Sequence, residues 1–136
     1  MPYINISLTS PLDDARAQQI ASRVSALTAQ HLRKDQSITS ISLTRIDPHH
    51  WFVGGHSLAS QNQSTFWLDI KVVDGTNLKT ELASYAEAIF KAMGDLLGAV
   101  HSESYVLIHE VPASAYGFGG LTQEHRFIAA QMKAAE

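Results

Sequence analysis

Apolar and polar residues alternate along two segments that lie far apart in the chain, and a helical pattern follows each of them. The two segments are PYINISLT at residues 2–9 and FWLDIKVV at residues 66–73. A period of two residues is typical of a strand with one buried face. We therefore predict that both segments are strands, and that each one starts a structural unit.

Apolar residues at helical spacing predict one amphipathic helix after each strand. The stripes are Ile20, Val24, Leu27 and His31 in the first helix and Leu82, Ala86, Ile89, Met93 and Leu97 in the second. Ser10 is expected to cap the first helix, Thr76 or Asn77 to cap the second, and Gly98 to end it. Because each stripe covers one side of its helix, both helices should pack on one face of one sheet.

A second strand and a glycine turn complete each unit, in SITSISLTRIDPHHWFVGG and in ESYVLIHEVPASAYGFGG, and the two glycine pairs are 65 positions apart. This order predicts one α+β domain, residues 1–136, built from tandem β-α-β units with the helices on one face of a mixed sheet. Its parts are a pseudo-repeat of residues 2–55 and 66–120, a connector of residues 56–65 and a C-terminal extension of residues 121–136. Imperfect alternation in the strands predicts that another protomer covers part of the other face.

Composition narrows the classes of function. The chain has 136 residues, 45% of them hydrophobic, a net charge of -3, and ten Lys and Arg scattered among thirteen Asp and Glu. No basic stripe is present, so we expect no nucleic-acid partner. The absence of cysteine excludes disulfides and thiolate chemistry. With neither a signal-peptide pattern nor a long apolar run, we expect a cytoplasmic protein with no membrane partner.

Metal and cofactor motifs are also lacking. His49, His50 and His56 flank the first glycine turn, but no carboxylate cluster or second ligand pair joins them, so no metal is expected. The segment GFGG closes a strand pair and does not lead into a helix, which argues against a phosphate-binding loop. We expect no cofactor.

Pro2 follows Met1 directly and begins the first strand. A methionine before a small residue is usually removed, which would leave Pro2 with a free secondary amine. With the tandem units and the hairpins HHWFVGG and SAYGFGG, this N-terminus resembles the tautomerase superfamily over about residues 2–120. The likeness is to the 4-oxalocrotonate tautomerase-like, fused two-unit type, which includes cis-3-chloroacrylic acid dehalogenase and malonate semialdehyde decarboxylase.

The resemblance implies a cofactor-independent keto–enol tautomerase or isomerase that forms a homotrimer. Its catalytic group would be the amine of Pro2, an acid and base acting on a small 2-keto acid, an unsaturated acid or a related carbonyl compound. An α-amino group has a reference pKa of about 7.7–8.0, and burial in an apolar pocket lowers it. Decarboxylase or dehalogenase and hydratase chemistry is also known in this superfamily.

The resemblance also implies substrate contacts. Trp51 and Tyr116 correspond to the phenylalanine that keeps the site apolar in the family. The positions of the family's substrate-binding arginines hold other residues, namely Leu12, Ser40, Val73, Thr76 and Tyr105. Without that charged clamp, dicarboxylate chemistry is doubtful.

Four further side chains are open to two interpretations each. Tyr105 is either a donor to an enolate oxygen or a packing residue, and His31 is either a substrate contact or a core histidine. Lys71 is either a solvated edge residue or a substrate cation. Arg45 either reaches a subunit boundary or forms a surface ion pair, which is the plainer account.

Two alternatives to an active enzyme remain. Tandem β-α-β order also occurs in ferredoxin-like regulatory or ligand-binding modules, which dimerise through their sheets. The other alternative is a catalytically inactive tautomerase scaffold, which the missing arginines would explain. An N-terminal proline and two glycine hairpins favour the enzyme, since a regulatory module requires neither.

Overall fold

A central four-stranded sheet with two long helices organises the chain. The computed structural model describes residues 2–136, so Met1 and its expected removal lie outside the described residues. The strands are β1 Tyr3–Leu8, β2 Ser40–Arg45, β3 Phe52–Val53, β4 His56–Ser57, β5 Phe66–Val73, β6 Tyr105–Val111, β7 Gly117–Phe118 and β8 Leu121–Thr122. The helices are α1 Asp14–Leu32, α2 Leu58–Gln61, α3 Lys79–Leu97 and α4 Gln123–Ala134, and 3-10 turns lie at Gln36–Ile38, Pro48–His50 and Ala113–Ala115.

The sheet is mixed, with the strand order β2-β1-β5-β6. Within each β-α-β unit the two strands are parallel, whereas β1 and β5 join the units in an antiparallel pair. The predicted α+β class, with tandem β-α-β units on a mixed sheet, is therefore confirmed. Because the central pair is antiparallel, the start of β1 and the start of β5 lie at opposite ends of the sheet.

The hydrophobic core lies between one face of the sheet and the helix pair α1 and α3. Alternate strand residues point into it, because successive side chains of a strand face opposite sides. Its members are Ile4, Ile6, Leu8, Ile20, Val24, Leu32, Phe66, Leu68, Ile70, Val72, Tyr85, Ile89 and Met93. The helices therefore pack on one face of the sheet, as predicted. A buried hydrogen bond of 2.8 Å between Thr28 Oγ1 and Tyr85 Oη links the two helices.

The other face of the sheet is not covered within the described residues. Four large apolar side chains on it are exposed, namely Tyr3, Trp67, Tyr105 and Leu107. Lys71 lies on this face and forms an ion pair with Asp69. The suggestion that Lys71 sits on a sheet edge is wrong, because β5 pairs with a strand on each side.

Both predicted helix starts are corrected, by three residues in α1 and by one or two in α3. Asp13 caps α1 by accepting a 2.8 Å hydrogen bond from Arg16 N, while Ser10 Oγ instead bonds Ser64 Oγ. Leu78 is the N-cap of α3, and the Glu81 carboxylate accepts its N–H. The side chains of Thr76 and Asn77 bind other partners. Gly98 ends α3 as predicted, with φ 86°.

A network of hydrogen bonds joins the C-terminus of α1 to the N-terminus of α3. Arg33 has a left-handed backbone, with φ 57°, and its guanidinium binds both carboxylate oxygens of Glu81 and the carbonyl oxygen of Thr76. Asn77 Nδ2 donates to Leu32 O at 2.8 Å, and Thr76 Oγ1 donates to Val73 O. The side chains expected to cap α3 therefore hold the end of α1 instead.

The ion pair between Arg33 and Glu81 in this network predicts a loss of stability in acid. Hydrogen bonds from Arg33 and then from the Leu78 N–H lower the pKa of Glu81 from 4.5 to about 2. Since the carboxyl group of the unfolded chain titrates at the higher value, this contribution is complete above pH 4.5 and is lost as the pH falls through about 2. We expect the melting-temperature difference between wild type and Glu81→Gln to shrink across that interval. A difference that is constant with pH would contradict this.

Each unit ends in a glycine hairpin of the same construction. Gly54 and Gly55 have φ values of 63° and 80°, and Gly119 and Gly120 have values of 60° and 82°. Two consecutive positive φ values are those of a tight hairpin turn that glycine adopts most easily. After each hairpin a helix begins, α2 in the first unit and the longer α4 in the second. No helix within residues 2–136 has the length and apolarity needed to cross a bilayer.

Candidate active site

Pro2 is buried at the start of β1. Its carbonyl oxygen accepts a hydrogen bond of 3.2 Å from Ser40 N, which holds it against the start of β2. On the other side, Tyr3 pairs with Lys71, so Pro2 lies opposite Val72 in the antiparallel register. An amine at this position would be shielded from water by the sheet, and such burial favours the neutral form.

Tyr116 is the predicted contact that the structure brings to Pro2. Burial raises the pKa of its hydroxyl, and a hydrogen bond with the backbone of Tyr3 opposes that rise. Because the bond favours the deprotonated form, the Tyr3 N–H is the donor and the phenol oxygen the acceptor. The phenol oxygen therefore lies at the peptide bond that follows Pro2.

A cavity of about 460 Å³ opens at the same end of the sheet. It begins at Val73, the residue after the one opposite Pro2. Its lining combines apolar and polar side chains: Lys34, Val73, Asp74, Thr76, Ala113, Gln123, Glu124 and Phe127. Asp74 and Glu124 are exposed, whereas Lys34 and Gln123 are partly buried. The two carboxylates therefore lie at the rim, and the ammonium and the amide lie deeper.

Lys34 is the cation of this cavity. Its Nζ donates to Thr76 Oγ1 at 2.9 Å, and that hydroxyl in turn donates to Val73 O at 2.6 Å. Burial is the main cause that lowers the pKa of Lys34, the charge of Arg33 adds to it, and Glu81 opposes it. A partly desolvated ammonium gains from an anionic partner, so this side chain is suited to hold a carboxylate.

Gln123 lines the cavity from the first turn of α4. Its backbone N–H donates to Tyr116 O at 2.8 Å, which links α4 to the tyrosine beside Pro2. Its side-chain Nε2 is buried and has no hydrogen-bond partner within residues 2–136. Buried polar groups are nearly always paired, so an unpaired amide of this kind requires an explanation.

The opposite end of the sheet holds an equivalent cavity without these groups. Its volume is also about 460 Å³. Phe66 holds the position of Pro2, since Trp67 pairs with Tyr105 as Tyr3 pairs with Ser40, and Ala99 follows the end of α3 as Lys34 follows that of α1. Arg45 lies on the rim of this second cavity and makes no ion pair within the described residues, contrary to the surface pair expected. The two ends have therefore diverged in the residues that carry chemistry.

Trp51 and Tyr105 lie together, but far from Pro2 of the same chain. They line one cavity with Phe52 and Glu103, at the start of β5. Tyr105 pairs with Trp67 of β5, and Trp67 pairs with Ser7 of β1, which lies five residues along the strand from Pro2. At about 3.3 Å per residue, Ser7 and Pro2 are about 16 Å apart along β1. The Tyr105 hydroxyl donates to Glu103 Oε2 at 2.6 Å, which raises its pKa.

His31 lies in the helix layer. Its Nδ1 is 2.6 Å from Ser84 Oγ, so the ring bridges α1 and α3. This is the contact expected of a core histidine with one satisfied nitrogen, the second of the two interpretations given above. Among residues 2–136, no group of three or more His, Cys, Asp or Glu side chains is placed to hold a metal ion.

Comparison with known proteins agrees with this geometry. Residues 2–61 match the family model described as "Tautomerase enzyme". The fold matches native fused 4-OT with a TM-score of 0.79 and 20% identity, over 90% of this chain and 97% of that one. The resemblance to the tautomerase superfamily is confirmed. The first unit carries the sequence match, and the fold of the whole chain is that of the fused two-unit type.

Two further tautomerase-fold structures extend the comparison. Pt0534 inactivated by 2-oxo-3-pentynoate has a TM-score of 0.79 and 18% identity, over 91% of this chain and 98% of that one. The symmetric trimer of Q0 fused 4-OT has a TM-score of 0.78 and 15% identity, over 90% and 96%. No curated protein matches the chain. The family match and the fold support a tautomerase-type enzyme over the ferredoxin-like alternative.

Sequence analysis missed the two polar residues that distinguish the cavity at this end of the sheet from its equivalent. Lys34 lies two residues after the end of α1, where a lysine is ordinary, and only its burial and its bond to Thr76 single it out. Gln123 lies in the C-terminal extension, which showed no motif. A residue-by-residue comparison of the two units would have found both, because Ala99 and Leu58 hold the equivalent positions.

Proposed function

We propose that this protein is a cofactor-independent keto–enol tautomerase in which the secondary amine of Pro2 transfers a proton within a small 2-keto acid. The observation that carries the proposal is the buried position of Pro2 at the end of the sheet where Lys34 and the cavity lie. The proposal requires that Met1 is removed, because a proline nitrogen in a peptide bond has no basic lone pair.

The proton transfer needs only one group that first acts as base and then as acid. The lone pair of the neutral Pro2 nitrogen takes the hydroxyl proton of the enol, and the O–H electron pair stays on the oxygen as an enolate. The enolate oxygen then forms the carbonyl π bond while the C=C π pair takes the proton from the Pro2 ammonium and forms the new C–H bond. No net proton or electron is consumed, so no cofactor is needed.

The charges of the cavity favour a substrate with one carboxylate. Lys34 supplies one cation to the cavity, and the exposed Asp74 and Glu124 would repel a second negative charge. That Pt0534 is inactivated by 2-oxo-3-pentynoate, a 2-keto acid, supports this class of ligand. We test the activity by following conversion of phenylenolpyruvate to phenylpyruvate spectroscopically. The absence of any turnover above buffer would favour the inactive-scaffold alternative.

We also propose that the protein is a homotrimer. The exposed apolar side chains on the open face of the sheet support an interface there, and the symmetric trimer of Q0 fused 4-OT supports the number of chains. In such an assembly Trp51 and Tyr105 would contact the substrate only at a site formed with another protomer. His31 lies between α1 and α3, so it would contribute to substrate binding only from the helix side of the sheet.

The trimer proposal predicts the effect of a charge on the open face. Leu107→Lys should reduce the mass measured by light scattering from three times the 14.9 kDa chain towards that of one chain, because the ammonium would be buried unpaired. Leu78→Lys, on the exposed N-cap of α3, is the control and should leave the mass unchanged. A wild-type protein with the mass of one or two chains would refute the trimer.

A further inference from the structure

The side chain of Gln123 combines two features that are rarely found together. Its Nε2 atom is buried and has no hydrogen-bond partner within the described chain, yet the residue lines an open cavity. Leaving an amide donor buried without a partner disfavours the folded state. An unpaired donor of this kind therefore calls for a role that the folded chain alone does not provide.

The equivalent residue in the first unit shows what the fold itself requires. Leu58 begins α2 as Gln123 begins α4, and its N–H donates to Trp51 O at 2.9 Å as that of Gln123 donates to Tyr116 O at 2.8 Å. The Leu58 side chain is completely buried. The fold therefore accepts an apolar side chain of similar size at this position, and packing does not require glutamine.

The amide occurs at the same end of the sheet as the other polar differences. Pro2 corresponds to Phe66 at the opposite end, because Tyr3 pairs with Ser40 as Trp67 pairs with Tyr105, and Lys34 corresponds to Ala99. At the end that has the proline, the cavity contains one ammonium and one unpaired amide donor, whereas the equivalent positions at the other end are both apolar. The amide and the ammonium are therefore placed to act on one ligand.

We propose that Gln123 is a substrate-binding residue, whose Nε2 donates a hydrogen bond to the carboxylate that Lys34 binds. This inference rests on the proposed tautomerase function. A carboxylate oxygen only accepts hydrogen bonds and offers several lone pairs, so it can take one donor from each side chain. Together the two donors fix the direction of the carboxylate, which a single flexible lysine does not. The rim carboxylates Asp74 and Glu124 lie outside this pair.

The test compares Gln123→Leu with wild type, because Leu58 shows that leucine fits. For phenylenolpyruvate we expect KM to rise about tenfold or more with kcat little changed, as for loss of a hydrogen bond to a charged group. The melting temperature of the variant should rise, since the unpaired donor is gone. Gln123→Glu should raise KM further, because its carboxylate repels that of the substrate. Gln18→Leu, an exposed residue of α1, is the control and should change neither quantity.

Two results would overturn the inference without touching the proposed function. One is an unchanged KM in Gln123→Leu while Pro2→Ala still loses activity, and the other is a lowered melting temperature, which would assign Gln123 a structural role. If wild type shows no Pro2-dependent turnover, the proposed function fails, and the inference is then decided by calorimetric titration with phenylpyruvate. Binding that is weakened about tenfold in Gln123→Leu would support it, and equal binding would refute it.

Discussion

Pro2→Ala should lower kcat/KM for the conversion of phenylenolpyruvate by about 100-fold or more, the lower limit expected for loss of a positioned acid and base. Alanine keeps an amine at the N-terminus but loses the ring that fixes the direction of the nitrogen lone pair. The primary amine also rotates and binds more water, so it is less well placed for proton transfer. Stopped-flow kinetics at fixed pH measure the effect.

The matched control for this variant is Pro11→Ala. Pro11 is exposed and lies at the opposite end of the sheet, beside the cavity that has no proline amine. The Pro11→Ala variant should therefore retain wild-type kinetics. Unchanged turnover in Pro2→Ala, with both proteins folded, would end the enzyme proposal in its present form.

Lys34→Gln should raise KM for phenylenolpyruvate by about 10- to 100-fold, because it removes a hydrogen bond to a charged group worth about 1.5–3 kcal/mol. Glutamine is one atom shorter but keeps an N–H donor for Thr76 Oγ1, so a donor is retained while the charge is lost. The effect should appear mainly in KM, since the ammonium binds the carboxylate and not the reacting atoms.

Lys79→Gln provides the comparison for Lys34→Gln. Lys79 is an exposed residue in the first turn of α3, outside the lining of the cavity. Lys79→Gln removes one positive charge, as Lys34→Gln does, and should leave KM unchanged. The comparison therefore separates a local effect on substrate binding from an effect of the net charge of the chain. If both variants raise KM equally, Lys34 does not bind the substrate.

The strands and the tandem plan could be predicted because they rest on local patterns. Residues 66–73 alternate well enough to predict a strand and form β5, and the glycine pairs mark both hairpins. The helix starts could not be predicted equally well. Ser10, Thr76 and Asn77 all have side chains that can cap a helix, but each is bound to a partner far away in sequence, and only the folded chain shows which bonds form.

The site was predicted only in part for a reason of topology. Trp51 and Tyr116 hold equivalent positions in the two hairpins, so sequence analysis assigned both to the pocket of Pro2. Because β1 and β5 are antiparallel, the second hairpin reaches the start of β1 while the first reaches the start of β5. The sequence alone does not say how the two units are joined, and this decides which aromatic residue meets the proline.

The most direct test of the account is the titration of the Pro2 nitrogen by NMR in protein labelled with ¹⁵N-proline. A mature chain that begins at Pro2 should show one secondary-amine resonance, with a pKa below the value of about 7.7–8.0 for an exposed α-amino group, because the site is buried and near Lys34. A Pro2 signal that is an amide and does not titrate, or an amine with a pKa above that range, would contradict it.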